Sequence, residues 1–356
     1  MRKNIYIHCF IFFAAIIFFS CGSNPTPEKL PLSVKNNLNL LPEKPQFVMY
    51  INFKYLRTTD FWKQNIADSM LSSENTFGSI LNVFKTATGA TISDGLDEIF
   101  FANSWTGQNA IVMKGSFDKT KITVYLSNDS LFEKIDGANG FSYYKHKPSN
   151  TAFFLKDNFT LCASNYTEQL TKMKDISDTS NTGLVRNDEL MKAINAIMYK
   201  ESMWLVSAEK MFIRGIFANF IDIKSGKAFD KEGTDTSATQ QKADSLSKTD
   251  DVILNRLYEK VNSISLNGKI KEEVELVLQF ECADRESTLY VDKLFNGIIG
   301  LAKIASAGNK DKKDTAFEKI LNDINLQNFE NTFLITVKID STNIQDFRNN
   351  NLLINK

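Results

Sequence analysis

Past residue 45 the chain breaks into short apolar runs separated by polar turns, and two periods recur. Gln46–Asn52 is bulky, follows Pro45 and predicts a strand. A helical stretch runs from about Leu56 to Met70, and Phe77, Ile80, Leu81 and Phe84 then form one apolar face that Gly89 stops. Glu98–Ser104 and Asn109–Phe117 predict a hairpin turning over Trp105–Gln108. A short helix leads into a three-strand meander, Phe141–Lys145, Thr151–Leu155 and Phe159–Ala163. Asn165 is the expected cap of the next helix, with Glu168 three residues on. Another helix, about Asp188 to Met198, places Leu190, Ile194 and Ile197 on one face.

The order then partly repeats. Met203-Trp204-Leu205-Val206 predicts a strand like Met49-Tyr50-Ile51. Val261–Leu266 and Val274–Cys282 predict a second hairpin around Asn267-Gly268. Val291, Leu294, Phe295, Ile298, Leu301 and Ala305 line one face of a long helix. Thr315 and Glu318 form a capping box for a helix with Phe317, Ile320, Leu321 and Ile324 inward, and Phe333–Ile339 is a closing strand. The expected fold is α+β: two loosely similar halves, 46–200 and 201–350, each of mainly antiparallel strands packed against amphipathic helices. Identity between the halves is weak, so the repeat rests on the order of elements. Residues 224–251 are Lys-, Asp-, Ser- and Thr-rich and read as a disordered insertion. Asp230–Asp235 lacks the ligand alternation and distal Glu of a calcium loop.

The N-terminus has its own pattern. Arg2 and Lys3 precede an apolar run, Cys9 to Phe19, which is too short to span a membrane and fits a removed signal segment. It closes on Phe18-Phe19-Ser20-Cys21, so residues 1–20 resemble a bacterial lipoprotein signal, with Cys21 acylated as the first mature residue. The competing reading is an ordinary signal cut near Ser20. The cysteine falling where the apolar run stops favours lipidation. Pro25, Pro27, Pro31, Pro42 and Pro45 make 21–45 an expected extended tether. Gly22-Ser23-Asn24 carries no acid, which by resemblance to sorting signals implies an outer-membrane anchor facing the periplasm.

Composition narrows the classes. Lys+Arg and Asp+Glu are both 42, and removing 1–20 takes two bases and no acid. The mature chain is thus slightly acidic, against nucleic-acid binding. Cys162 and Cys282 remain in an oxidising compartment as a candidate disulfide, each alternatively a small buried residue of a strand. The single mature histidine, His146, lies between Lys145 and Lys147 and reads as an exposed turn residue, not a base. One histidine and no thiol cluster exclude the common zinc sets. Nucleophile elbow, Walker loop and dinucleotide fingerprint are missing, and Gly297 and Gly300 sit inside a helix. No cofactor and no catalytic residue is expected. Trp62, Trp105, Trp204 and the many Phe residues either form core or line an aromatic cleft.

Leu41-Pro42, then Phe47–Asn52 and Lys54, then Gly89 and Asp97-Glu98-Ile99, resemble a group of Bacteroidota envelope lipoproteins with a Leu-Pro, strand, Asn opening. The Ser263–Cys282 hairpin and its following helix are similar too. The resemblance implies an envelope lipoprotein and supplies no catalytic residues. The expected function is non-enzymatic: a lipid-anchored component that binds or scaffolds an envelope protein. The alternatives are a carrier of an apolar ligand in an aromatic cleft and, third, a carboxylate-dependent enzyme.

Overall fold

The computed structural model describes residues 26–65, 85, 88–89, 94–104, 106–137, 140–176, 182–224, 257–307 and 316–343. Twelve strands form one sheet: β1 (Phe47–Asn52), β2 (Leu96–Asn103), β3 (Asn109–Gly115), β4 (Phe132–Asp136), β5 (Ser142–His146), β6 (Thr151–Leu155), β7 (Thr160–Ser164), β8 (Met203–Ser207), β9 (Val261–Ile270), β10 (Val274–Cys282), β11 (Asn325–Phe329) and β12 (Thr332–Ile339). Their spatial order is β11-β12-β10-β9-β8-β1-β2-β3-β7-β6-β5-β4. The β1–β8 pair joins the halves antiparallel, with Val48 opposite Val206 and Tyr50 opposite Trp204. Outward from it, β1-β2-β3-β7-β6 mirrors β8-β9-β10-β12-β11. The fold is α+β, and the two halves share this strand order. Among the described residues only the first carries a further hairpin, β4–β5, at its edge.

Side chains alternate between the faces of a strand, so each face has its own core. On one face Val48, Tyr50, Phe100, Val112 and Trp204 pack under α1 (Leu32–Leu38), α5 (Thr167–Asp175) and α6 (Asp188–Ala196). On the other, Ile99, Ile111 and Leu161 pack under α2 (Phe53–Leu56), α3 (Asp60–Asn65) and α4 (Lys119–Asn128). That face continues into the second half. There Ile264, Phe280 and Phe333 meet Ile213 and Phe217 of α7 (Lys210–Lys224) and Val291 and Phe295 of α8 (Arg285–Ala307). A further helix, α9 (Ala316–Asp323), packs on β12.

Several expectations need correction. The segment expected as a tether is built into the fold from Glu28 onward. Val34, Leu38, Leu40 and Leu41 are buried, and Pro31 is the cap residue of α1 rather than part of a solvated run. Lys200, 1% exposed, holds this segment. Its Nζ donates to the carbonyls of Glu28 at 2.6 Å, Asn195 at 2.9 Å and Ile197 at 2.5 Å, and its backbone N–H donates to the Glu28 carboxylate at 2.6 Å. Burial pulls the Lys200 ammonium down to about 8, against the pull of Glu28. Three carbonyl acceptors suit an ammonium with three donors.

Asn165 caps no helix. It accepts from Asn109 N–H at 2.7 Å and donates to Gly107 carbonyl at 2.9 Å, bracing the β2–β3 turn. The Asn267-Gly268 pair is not a turn but lies within β9, which runs on to Ile270. A Cβ on Gly268 would come within 3.2 Å of Leu276 and 3.4 Å of Met203. This glycine therefore serves close packing between neighbouring strands. Asn267 is buried and its Oδ1 accepts from Tyr199 N–H at 3.1 Å. The stretch expected as a helix from Leu56 has α3 at Asp60–Asn65, and residues past 65 lie outside the described ones. So do the helix expected at 77–84, Trp105, Thr315 and the insertion beyond Lys224 up to 251.

Candidate functional site

The β4–β5 hairpin does not stay with the sheet. β5 pairs with β6 only from Tyr144 to His146, opposite Phe153 to Thr151. Its pairing with β4 continues to Ser142, while β6 stays on β7 to Leu155. The strands therefore part after Tyr144 and Phe153, and a cleft of about 770 Å³ opens there. Gly140, at φ +70, turns the chain into β5 at the rim.

Both faces of the sheet contribute to the lining. Ile122, Thr123 and Leu126 of α4, with Tyr144, Phe153 and Leu155, form one wall. Phe141, Phe154 and Ile176 form the other. The Phe141 and Phe154 rings meet edge to face at 5.0 Å, and Tyr144 stacks on Phe153 at 6.2 Å. Edge-to-face and offset pairs hold rings in fixed positions, so the floor is a shaped apolar surface.

The rim is basic: Lys119, Lys134, Lys156 and Lys174 against one acid, Asp157. Two lysines are engaged elsewhere. Lys156 Nζ donates to the carbonyls of Met173 at 3.0 Å, Lys174 at 3.0 Å and Ile176 at 2.6 Å, closing the C-terminus of α5. Lys134 pairs with Asp136 at 3.1 Å, which also accepts from Ser142 at 2.6 Å; together they hold the Asp136 carboxyl below its usual range. Asp157 is taken up by its own turn, accepting from Phe159 N–H at 2.7 Å and Thr160 hydroxyl at 3.0 Å. Lys174 sits 5.2 Å over the Phe141 ring, with Asp175 at 3.8 Å. Lys119 opens α4 and makes no ion pair with another described residue.

The residues singled out by sequence lie elsewhere. Cys21 is outside the described residues. Cys162 and Cys282 are both free and buried, which corrects the candidate disulfide. Cys162 lies on β7 and Cys282 on β10, six strand steps apart in the sheet. At about 4.8 Å per step that is roughly 29 Å, far beyond the Cα separation of about 7 Å that a disulfide tolerates. Burial pushes the Cys162 thiol up to about 12 and Cys282 to about 11, so neither is poised as a nucleophile.

His146 is also corrected: it is 8% exposed, not an open turn residue. Its ring lies 5.1 Å from Phe132 and Nδ1 is 2.8 Å from Ser149 hydroxyl. Burial lowers its pKa, with Asp129 pulling the other way. Lys147, its neighbour in sequence, reaches away to Ser130 carbonyl at 2.7 Å. Trp204 is fully buried beside Tyr50 at 5.5 Å, and Trp62 meets Phe53 edge to face at 6.0 Å; both are core rings. Gly297 and Gly300 lie within α8 with open space where a Cβ would stand.

Two carboxyls are raised by burial, and they do not form a catalytic pair. Glu98 on β2 accepts from Tyr50 hydroxyl at 2.8 Å. Glu281 on β10 accepts from Gln279 at 2.7 Å and Thr332 at 3.1 Å. Four strand steps separate β2 from β10, roughly 19 Å. Among the described residues no group of three or more His, Cys, Asp and Glu side chains is placed to hold a metal ion, and no helix is long and apolar enough to cross a membrane.

No protein-family model matches the chain, and no curated protein does. Solved structures of TP0453 are similar in outline. Its crystal form I superposes with a TM-score of 0.44 at 11% identity, covering 88% of this chain and 96% of that one. Its crystal form IV gives 0.44 at 8% identity, covering 89% and 95%.

Proposed function

We propose that this chain is a lipid-anchored envelope protein that acts without catalysis, by receiving an apolar ligand in the cleft between β5 and β6. The observation that carries the reading is the strand parting itself. It sets Phe141, Tyr144, Phe153 and Phe154 along a space of about 770 Å³, within the roughly 300–1,000 Å³ of clefts that hold one small molecule. The raised thiols, the separated carboxyls and the enclosed His146 support a binding role over a catalytic one. Ser20-Cys21 at the end of the apolar run supports the anchor.

An environment-sensitive apolar fluorophore tests the cleft. Binding to wild type should saturate at one site. Thr123→Trp, on the exposed side of α4 at the cleft wall, should abolish it. Val124→Trp, 56% exposed and pointing away from the lining, should not. Equal binding to both variants would sink the reading. For the anchor, Cys21→Ala should release the protein from membranes, and labelled fatty acid should enter wild type alone. A variant that stays bound after a salt wash would remove that part.

A further inference from the structure

We infer that the ligand of this cleft is a single-chain amphiphile with an acidic head, a long-chain carboxylate, whose head is met by Lys119 and Lys174. The inference rests on the binding reading above and adds the ligand's chemistry. The walls fix the body of the ligand: Ile122, Leu126, Phe141, Phe153 and Phe154 offer no side-chain donor or acceptor. The rim fixes the head. Of the four lining lysines, Lys156 caps α5 and Lys134 is paired with Asp136 at 3.1 Å. Lys119 and Lys174 are left to face a ligand.

The nearby acids do not cancel them. Asp157 is turned into the β6–β7 turn by Phe159 N–H and Thr160. Asp118 caps α4, accepting from Lys121 N–H at 3.0 Å, and this contact holds its carboxyl low; the Lys121 ammonium lies 3.7 Å away. Asp175 lies 3.8 Å from Lys174, a looser contact than the 3.1 Å between Lys134 and Asp136. Lys174 is instead steadied over the Phe141 ring, 5.2 Å from its centroid, which sets its charge at the boundary between floor and rim. Lys119 begins α4. Aromatic residues along the walls and lysines at the rim are the complement of a carboxylate on a hydrocarbon chain. The space of about 770 Å³ suits one chain, not a two-chain phospholipid.

The probes are a fluorescent conjugated-polyene fatty acid and its methyl ester, titrated into the intact protein. Wild type should bind the acid about tenfold tighter than the ester. Lys119→Met with Lys174→Met should bring the acid down to the ester's affinity and leave the ester unchanged. Lys119→Arg with Lys174→Arg should keep the difference. Added salt should weaken the acid alone. Equal binding of acid and ester to wild type, or no loss in the double Met variant, would overturn the head-group assignment and leave the cleft reading standing. Binding of neither probe would overturn both. Full displacement of the acid by a soluble two-chain phosphatidic acid at equal concentration would overturn the single-chain assignment.

Discussion

The hollow at the outer end of the first half and the hollow at the β9–β10 turn of the second are similar in size and are lined by different residues. The first, about 770 Å³, has aromatic walls under a lysine rim. The second, about 660 Å³, is lined by Lys269, Lys271, Glu273, Lys338 and Asp340 with their neighbours, and no apolar residue among the described ones lines it. Its charges answer one another, as Lys338 does Glu273 at 3.5 Å. The halves share a strand order, so the difference comes from what each adds to it. The first half adds β4 and β5, and a hairpin that parts from β6 after Tyr144 leaves a cleft lined by rings from both faces. Among the described residues the second half ends at β11, with no such added hairpin. The proposed ligand site is thus a departure from the repeat.

The same contrast appears in the interior. On the face that carries Trp204, the first half buries Val48, Tyr50, Phe100, Val112 and Phe154, with Thr160 and Ser164 on β7, while the second presents Ser263, Ser265, Asn267 and Gln279, all buried. These polar groups receive the end of α6. Gln279 donates to Ala196 carbonyl at 2.7 Å and accepts from Met198 N–H at 3.2 Å. Backbone groups left over at a helix C-terminus need partners when buried, and the sheet supplies them here.

The largest effect should come from the second-half core. Phe280 sits among Phe217 at 5.6 Å, Phe295 at 5.1 Å and Phe333 at 6.0 Å. Phe280→Ala should cost about 3–5 kcal/mol in denaturant unfolding. Phe141→Ala, whose ring already borders open space, should cost less, about 2 kcal/mol. Because the β1–β8 ladder joins the halves, both variants should unfold in one transition. Two separate transitions, or equal costs, would break the comparison.

Next is the clamp on the N-terminal segment. Lys200→Met leaves three carbonyls near Glu28 and Ile197 without their donor and should cost about 3 kcal/mol. Proteolysis should then cut near Glu28 first. Unchanged protease resistance would show that the segment is held by Val34, Leu38 and Leu41 alone.

The smallest effect belongs to His146, beside the parting strands. Its folded pKa lies below the ordinary 6.5 because it is buried, so below pH 6.5 the unfolded chain binds more protons than the folded one. Its contribution is therefore intact above pH 6.5 and is lost as pH falls toward the folded value. The melting midpoint of wild type should fall through this range more than that of His146→Gln. Parallel pH profiles would place the ring in solvent.

Much of the frame was legible in the residues. Leu190, Ile194 and Ile197, and Val291, Leu294 and Phe295, repeat at helical spacing and do pack inward. Ile99 and Ile111 lie in the hairpin expected of them. What failed was whatever tertiary context decides. Proline density concealed α1, whose Val34 and Leu38 are buried between Pro31 and Pro42. Asn267-Gly268 has turn chemistry, yet long-range contacts with Tyr199, Leu276 and Met203 hold it in a strand. β4 and β11 are edge strands with mostly exposed or half-buried polar positions, so alternation hardly marks them. The cleft was not readable, because its lining spans Lys119 to Ile176 and depends on where β5 leaves β6. Only the aromatic content pointed toward it.

The central claim is that ligand enters where β5 and β6 part. Amide hydrogen exchange on the intact protein, with and without a saturating long-chain carboxylate, tests it most directly. Protection should rise at Ser142–Tyr144, Phe153–Lys156 and the first turns of α4, and stay constant along β9, β10 and β12. Protection unchanged at the parted strands, or gained around Lys269 and Lys338 instead, would contradict the account.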